Sequence, residues 1–406
     1  MSGDEKKRNT GKLILKIIVV FILVLIIAAA FNYDYVTRLY KGITLFEPGQ
    51  IEDNFRNMEE IVPAVTVSKG ENVSNFIYDL KSLPEFYTYK GDERRIRDFI
   101  ESSQTTGLIV VKDDTVMYEE YFRGNTESSQ VISWSISKSI VSALFGIAVS
   151  EGHIIDINET VTDYLPELAK NGYNGVRIKD VLQMSSGIGF NEDYADIFSD
   201  INRMGYAFAL NISLGKFINT LDNAIEPGTY NNYVSMDTQV LGMIIRKATG
   251  KTLAEYTEEK IWKPAGMESD ATWLVDSAGV EVSFGGFNAV LRDIARFGSI
   301  YLHNGYWNNK QIVPREWVKA SVTPDAPHLM PNPDAEWTMG YGYQWWIPEN
   351  PDGEFLGIGV YGQAVYIYPR YNIVIAKTSA YIDYDIDGED MEMESIEFFR
   401  AIARNM

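Results

Sequence analysis

The pattern of apolar and polar positions divides the chain before any chemistry is considered. Leu13 to Phe31 is an apolar run broken only by Lys16. As a helix it would span about 28 Å, close to the hydrocarbon thickness of a bilayer. Lys6, Lys7, Arg8 and Lys12 precede it, a flank that stays cytoplasmic and leaves everything after Phe31 outside. The long stem of Lys16 lets its charge snorkel to the interface. Ala28-Ala29-Ala30 offers the alternative of a signal-peptide cleavage site, and the length of the run favours an uncleaved anchor. Tyr33, Tyr35 and Tyr40 fit an interfacial aromatic belt and read equally well as stem aromatics.

From Asn32 to about Asn75 the pattern is irregular, punctuated by Pro48, Gly49, Pro63 and Gly70, and predicts a stem. Asp92 to Ser102 reads as a helix. Gly107 to Val111 and Val116 to Phe122, separated by Lys112-Asp113-Asp114-Thr115, read as a hairpin. Val131 to Ala148 is hydroxyl-rich in its first half and almost continuously apolar in its second, which predicts a buried helix stopping at Gly152. Between Glu151 and Asp276 strand signals fade. Helical stretches replace them at Ile178 to Met184, Ile201 to Leu210, Leu214 to Thr220, Asp237 to Ala248 and Leu253 to Ile261. Another helix is predicted over Asn288 to Gly298, then strands over Gly342 to Ile347, Ala364 to Tyr368 and Ile373 to Thr378. Glu394 to Ala403 closes the chain as a helix, and the acidic run Asp383 to Glu394 reads as a solvated loop.

The predicted fold is thus α/β of the α+β kind: an antiparallel sheet flanked by helices, with an inserted all-helical lobe and an N-terminal transmembrane helix. The predicted divisions are 1–31 for the tail and anchor, 32–75 for the stem and 76–406 for one domain, whose helical lobe covers about 151–276.

Composition narrows the chemistry. At 406 residues and 46% hydrophobic the chain has enough material for a large core. A net charge of -20 argues against nucleic-acid partners. The absence of cysteine excludes disulfides, thiolate catalysis and cysteine-ligated zinc. The histidines, His153, His303 and His328, form no metal-binding spacing, and no Gly-x-Ser-x-Gly elbow occurs. No cofactor, metal or oligomeric state is assigned from the sequence.

What remains is hydroxyl chemistry. Ser135 and Lys138 lie one helical turn apart on the buried helix, near enough for the amine to reach the hydroxyl. A lysine whose pKa is lowered by burial can take a serine's proton, and the helix N-terminus favours a developing oxyanion. Ser213-Leu214-Gly215-Lys216 repeats the spacing but reads as an N-cap serine with a surface lysine. A second segment, Pro227 to Gly242, runs from a loop into a helix with Asp237 as its expected N-cap. It supplies Tyr230 and Tyr233, either of which, beside a lysine ammonium, could ionise more easily and act as a general base.

Together these segments resemble the serine β-lactamase and penicillin-binding-protein superfamily, class C branch, and within it the 6-aminohexanoate-dimer hydrolase-like enzymes. The residues that carry the resemblance are Ile132 to Ser139, Asp180 to Gly187 with Asn191 to Tyr194, Tyr233 to Gly242, and Gly359-Val360-Tyr361-Gly362-Gln363. It implies a β-lactamase/transpeptidase-like fold, Ser135 as nucleophile, Lys138 as its partner and Tyr233 as general base and acid. Ser235 stands where class C enzymes usually have asparagine. The family's Lys-Thr-Gly is matched here by Val360-Tyr361-Gly362, with no cation to hold a substrate carboxylate. The Gln363 N–H would then join that of Ser135 in an oxyanion hole. Tyr361 and Tyr194 are expected to line the cleft, whereas Trp134, Phe190, Trp345 and Trp346 read equally as packing.

The expectation is a single-pass, extracytoplasmic esterase or amidase acting on a small molecule, with little β-lactamase activity. The rivals are a D-alanyl peptidase-like cell-wall enzyme and a non-catalytic binding protein that keeps the fold.

Overall fold

The computed structural model describes residues 11–24, 33–209, 212–335, 337–349 and 352–406. Residues 11–24 are helical, and their apolar side chains are exposed: Leu15 and Phe21 at 62% each. The remainder of the expected anchor, 25–31, lies outside the described residues. Among those described, no helix is long and apolar enough to cross a membrane, so the predicted span is not formed by any one of them.

The centre is an eight-stranded sheet ordered Gly340–Tyr341, Trp346–Ile347, Phe355–Gly359, Gln363–Tyr368, Ile373–Ser379, Thr105–Lys112, Thr115–Tyr121 and Ile77–Tyr78. Every pairing is antiparallel except the last. Both faces are covered, and the strands show it by alternation. Ile109, Val111, Val365, Ile367, Val374 and Ala376 point into one core, whereas Leu108, Val110, Tyr366, Tyr368, Ile373 and Ile375 point into the other. Helix Leu291–Leu302 covers the first face and helix Tyr384–Asn405 the second. Gly298 lies inside the first of these helices rather than at its end. A Cβ there would lie 2.6 Å from Val374 Cγ1, so this glycine lets the helix approach the sheet.

A second, four-stranded sheet was not legible in the pattern: Ala64–Val67, Ala271–Leu274, Phe287–Val290 and Gln130–Ile132. It corrects two expectations. Asn288 to Val290 are strand, and the helix starts only at Leu291, because Phe287–Val290 is paired on both edges. The described part of the expected stem, 33–75, is not irregular. It forms helices Tyr33–Ile43 and Ile51–Arg56, buries Ile51 and Phe55, and gives Ala64–Val67 to the sheet.

Asp92–Arg95 is likewise a strand paired with Phe86–Tyr89, and the helix begins at Ile96. The left-handed pair Lys90 and Gly91 makes the tight turn that such a hairpin needs. The acidic run is mostly helix, since Tyr384–Asn405 is one element with a kink at Asp387. Of the strand expected over Gly342 to Ile347 only Trp346–Ile347 forms, pairing with Gly340–Tyr341 across a turn that holds left-handed Gln344, and Phe355–Gly359 was missed. The helices expected between Glu151 and Asp276 form within a residue or two at most ends, but that interval also contains strand Ala271–Leu274.

Candidate active site

Strand Gln130–Ile132 delivers the chain to Trp134, which is left-handed at φ 46°, and helix Ile136–Ser150 starts one residue after it has turned. Ser135 therefore stands at the helix N-terminus, and its N–H has no acceptor among the described residues. The Lys138 side chain, 1% exposed, reaches back along the helix. Its amine donates to Ser135 Oγ at 2.8 Å, to the Phe284 carbonyl at 2.8 Å and to Ser235 Oγ at 3.2 Å. These acceptors use all the donors of an ammonium. Even so, burial pushes the amine down to about 7, with Glu192 opposing that shift.

Tyr233 comes from the loop before helix Ser235–Thr249, and Ser235 is that helix's first residue. That loop is held against the Asp180 to Gly187 segment by Asn231 Nδ2 donating to the Gln183 carbonyl at 3.0 Å and Asn232 N donating to the Met184 carbonyl at 2.8 Å. The Lys138 amine sits 4.9 Å from the Tyr233 ring centroid, Tyr233 lines the cavity beside Ser135, and its ring stacks on Trp346 at 5.3 Å. Tyr230, the other tyrosine of the segment, is 57% exposed and points away.

The expectation that Lys138 makes Tyr233 acidic is corrected. Burial first, and Glu192 second, raise the phenol well above its ordinary value, with only the neighbouring Ser135 opposing them. A phenol so held is a proton donor in the resting site.

The expected cap at Asp237 is also corrected. Asp237 is buried inside the helix, where its Oδ1 accepts from the Tyr173 hydroxyl at 2.8 Å. The cap comes instead from Glu192: its Oε2 accepts from Ser235 N at 3.1 Å and its Oε1 from Ser235 Oγ at 2.5 Å and from the Tyr194 hydroxyl at 3.1 Å. Glu192 was visible only as a member of the Asn191 to Tyr194 segment, and nothing in its local pattern marks it as a cap for a helix far along the chain.

The strand beside the nucleophile is Phe355–Gly359. A Cβ on Gly359 would lie 3.1 Å from Ser135 N and 2.5 Å from the Ser133 carbonyl, so only glycine allows the strand to come this close. Ile358 and Val360 line the cavity there with Ser135. The segment matched from sequence lies just beyond, in the hairpin turn. Tyr361, left-handed at φ 62°, stacks on Phe46 and packs against Trp134 and Tyr384 rather than joining the cavity wall. The Gly362 carbonyl accepts from Lys377 Nζ at 3.2 Å. Gln363 opens the next strand opposite Gly359. Its carboxamide is buried, donating to the Ser379 carbonyl at 2.6 Å and accepting from Ser379 N at 3.1 Å. The structure thus brings Ser135, Lys138, Tyr233, Ser235 and Tyr194 together, and it leaves Tyr361, Gly362 and Gln363 behind the wall.

The cavity measures about 640 Å³ and is closed on its far side by Tyr384, Asp385, Gly388, Glu389 and Glu392 of the C-terminal helix. Sequence reasoning placed this acidic stretch in a solvated loop. The missed signal is the spacing of Gly388, Glu392, Ser395 and Phe399, which carries the buried face of the closing helix back into the charged run.

The arrangement has the parts of a serine acyl-transfer site: a hydroxyl at a helix N-terminus, a buried amine on it, a phenol beside it and a close glycine strand. Comparisons agree with it. The Beta-lactamase family profile matches residues 93–381. The 6-aminohexanoate-dimer hydrolase of Paenarthrobacter ureafaciens is 29% identical over 345 residues, which are 82% of this chain and 86% of that one. A solved structure from Bacillus anthracis, described as a proposed 6-aminohexanoate-dimer hydrolase, superposes with a TM-score of 0.78 at 25% identity, covering 88% of this chain and 96% of its own. A D-stereospecific amidohydrolase from Streptomyces shares the fold, with a TM-score of 0.52 at 15% identity over 73% of this chain and 99% of its own. The chain belongs to the Beta-lactamase family and is a serine hydrolase.

Proposed function

We propose that this protein is a membrane-anchored, extracytoplasmic amidase or esterase working through an acyl-enzyme on Ser135. The observation that carries the reading is the Lys138 amine, buried, lowered to about 7 and 2.8 Å from Ser135 Oγ. In its neutral form this amine keeps its bonds to Phe284 and Ser235 and accepts the Ser135 proton as Oγ attacks the substrate carbonyl. The N–H groups of Ser135 and Val360, on either side of the Gly359 approach, receive the oxyanion. Tyr233 gives its proton to the leaving nitrogen or oxygen, the acyl C–N or C–O bond breaks, and Lys138 returns a proton to the phenolate. Water then adds to the ester, its proton passing to Lys138. Collapse releases the acid and returns the proton to Ser135.

The similarity to a 6-aminohexanoate-dimer hydrolase supports amide substrates. Among the described residues no Lys or Arg lines the cavity, whereas Asp193, Asp385, Asp387 and Glu389 do. A substrate with a carboxylate beside the scissile bond is therefore disfavoured, which speaks against penicillins and D-alanyl peptides alike. Anchoring is supported by the bare apolar helical stretch over residues 13–24, which no core covers.

The test is intact mass of the full-length protein in detergent after treatment with a fluorophosphonate, together with turnover of short nitrophenyl esters and anilides. One adduct on Ser135, absent with its turnover in Ser135→Ala, is expected. A folded protein that neither labels nor turns over would overturn the reading.

A further inference from the structure

Two segments meet at the oxyanion position, and each carries a bulky residue in the left-handed region beside the amide that matters. Trp134, at φ 46°, precedes Ser135, and Tyr361, at φ 62°, follows Val360. Non-glycine residues adopt this region only when their surroundings hold them there. The surroundings here are aromatic and come from elsewhere in the chain. Phe46 stacks on Tyr361 with centroids 4.8 Å apart at 15° and lies 6.1 Å from Trp134. Phe55 meets Trp134 at 5.5 Å and Tyr361 at 5.4 Å, both edge-on at 72°. Each phenylalanine thus touches both left-handed residues, whose own rings are 6.0 Å apart.

The bracket is built rather than incidental. Asn54, itself buried, donates through Nδ2 to the Thr44 carbonyl at 3.0 Å and the Leu45 carbonyl at 3.2 Å, which fixes the backbone that presents Phe46. Arg56 ties the other end down by donating to the Arg123 carbonyl at 2.9 Å and to Asn125 Oδ1 at 2.8 Å. The bracket, residues 44–56, lies outside the family-matched region, and helix Tyr33–Ile43 leads into it from the side of the proposed membrane anchor.

We propose that Phe46 and Phe55 are positioning residues that set the two oxyanion amides through Trp134 and Tyr361, so that the membrane-proximal segment is part of the catalytic apparatus. This rests on the acyl-transfer reading above. A bracket of this kind acts on the tetrahedral state and not on ground-state binding, because the amides tighten on the oxygen only as it becomes charged.

The experiment compares full-length wild type, Phe46→Ala, Phe46→Tyr and Phe55→Leu. Its readouts are ester kcat and KM, the rate constant and final stoichiometry of fluorophosphonate labelling, and thermal unfolding. Phe46 is 43% exposed, so its truncation leaves the fold intact and is the deciding variant. For Phe46→Ala the expected result is a fall in kcat of about tenfold with KM within twofold, a labelling rate slowed by the same factor and full final labelling. Phe46→Tyr restores both rates, and Phe55→Leu loses at least as much. Wild-type rates in Phe46→Ala and Phe55→Leu would overturn the proposal, as would a loss explained by a reduced labelled fraction. A wild-type protein that neither labels nor turns over would instead sink the acyl-transfer reading, and this inference with it.

Discussion

Lys138 and Lys377 are each 1% exposed, and burial lowers each to about 7. Each amine donates to a serine hydroxyl and a main-chain carbonyl: Ser135 and Phe284 for the first, Ser379 and Gly362 for the second. Each has one glutamate opposing its shift, Glu192 or Glu392, and both glutamates reach the same cavity. The difference is what the serine can do. Ser135 opens on the cavity beside a close strand, whereas Ser379 is fully buried and bonded through its backbone to Gln363. Desolvation sets the basicity of both amines, and in the proposed mechanism position alone decides that one moves a proton while the other holds a hairpin turn.

The strongest way to break the comparison is to delete each amine in turn. Lys138→Met removes the proton acceptor and is expected to lower kcat/KM by about a thousandfold, within the usual range for a positioned base. Because the amine works when neutral, wild-type kcat/KM should rise through about pH 7 and then level off. That limb should vanish with Lys138→Met, and a pH–rate profile reads it directly. Lys377→Met should lower kcat only about tenfold and leave the limb in place, since it loosens the Gly362 anchor without touching Ser135. A limb that moves with Lys377 instead would show that the two roles are not separate.

Stability sharpens the same contrast. Lys377 binds its proton more weakly folded, at about 7, than unfolded, at 10.5. Between these values the unfolded chain holds the extra proton, so this residue makes the fold gain stability as pH rises and lose it as pH falls. Urea unfolding at pH 7 and pH 9 should show wild type gaining on Lys377→Met with rising pH, by at most about 1.4 kcal/mol per unit.

Much of the first lysine's site was legible in sequence because it is local. Ser135 and Lys138 share one helix turn, and Tyr233 and Ser235 lie two residues apart where a loop enters a helix. The second lysine was not, since Lys377 sits in a strand whose apolar neighbours mask it and, apart from Ser379 on the same strand, its partners come from a hairpin turn and a distant helix. The same limit explains why the strand beside the nucleophile was missed. Phe355–Gly359 is short and carries Gly357 and Gly359, which weaken a strand pattern, so attention fell on the following Tyr361-Gly362-Gln363. Glu192 capping Ser235, and Phe46 with Phe55 bracketing Trp134 and Tyr361, are contacts between distant segments that no periodicity records.

The smallest effect tests whether the glutamates differ as the lysines do. Glu392 is 7% exposed, its Oε1 accepts from the Tyr384 hydroxyl at 2.9 Å, and burial raises it to about 8, with Lys377 opposing. At pH 7 it is therefore mostly the neutral acid, and Glu392→Gln reproduces that form. Turnover at pH 7 should change less than threefold. Above pH 8 wild type gains a negative charge in the cavity wall that the variant lacks, so the two should part there, with wild type favoured on an amine-bearing ester over its neutral analogue. Measuring kcat/KM for that pair of esters at pH 7 and pH 9 reads the effect. A tenfold loss at pH 7 on both esters would mean that Glu392 is already ionised against Lys377, and that the second lysine is held as half of an ion pair rather than as a neutral strut.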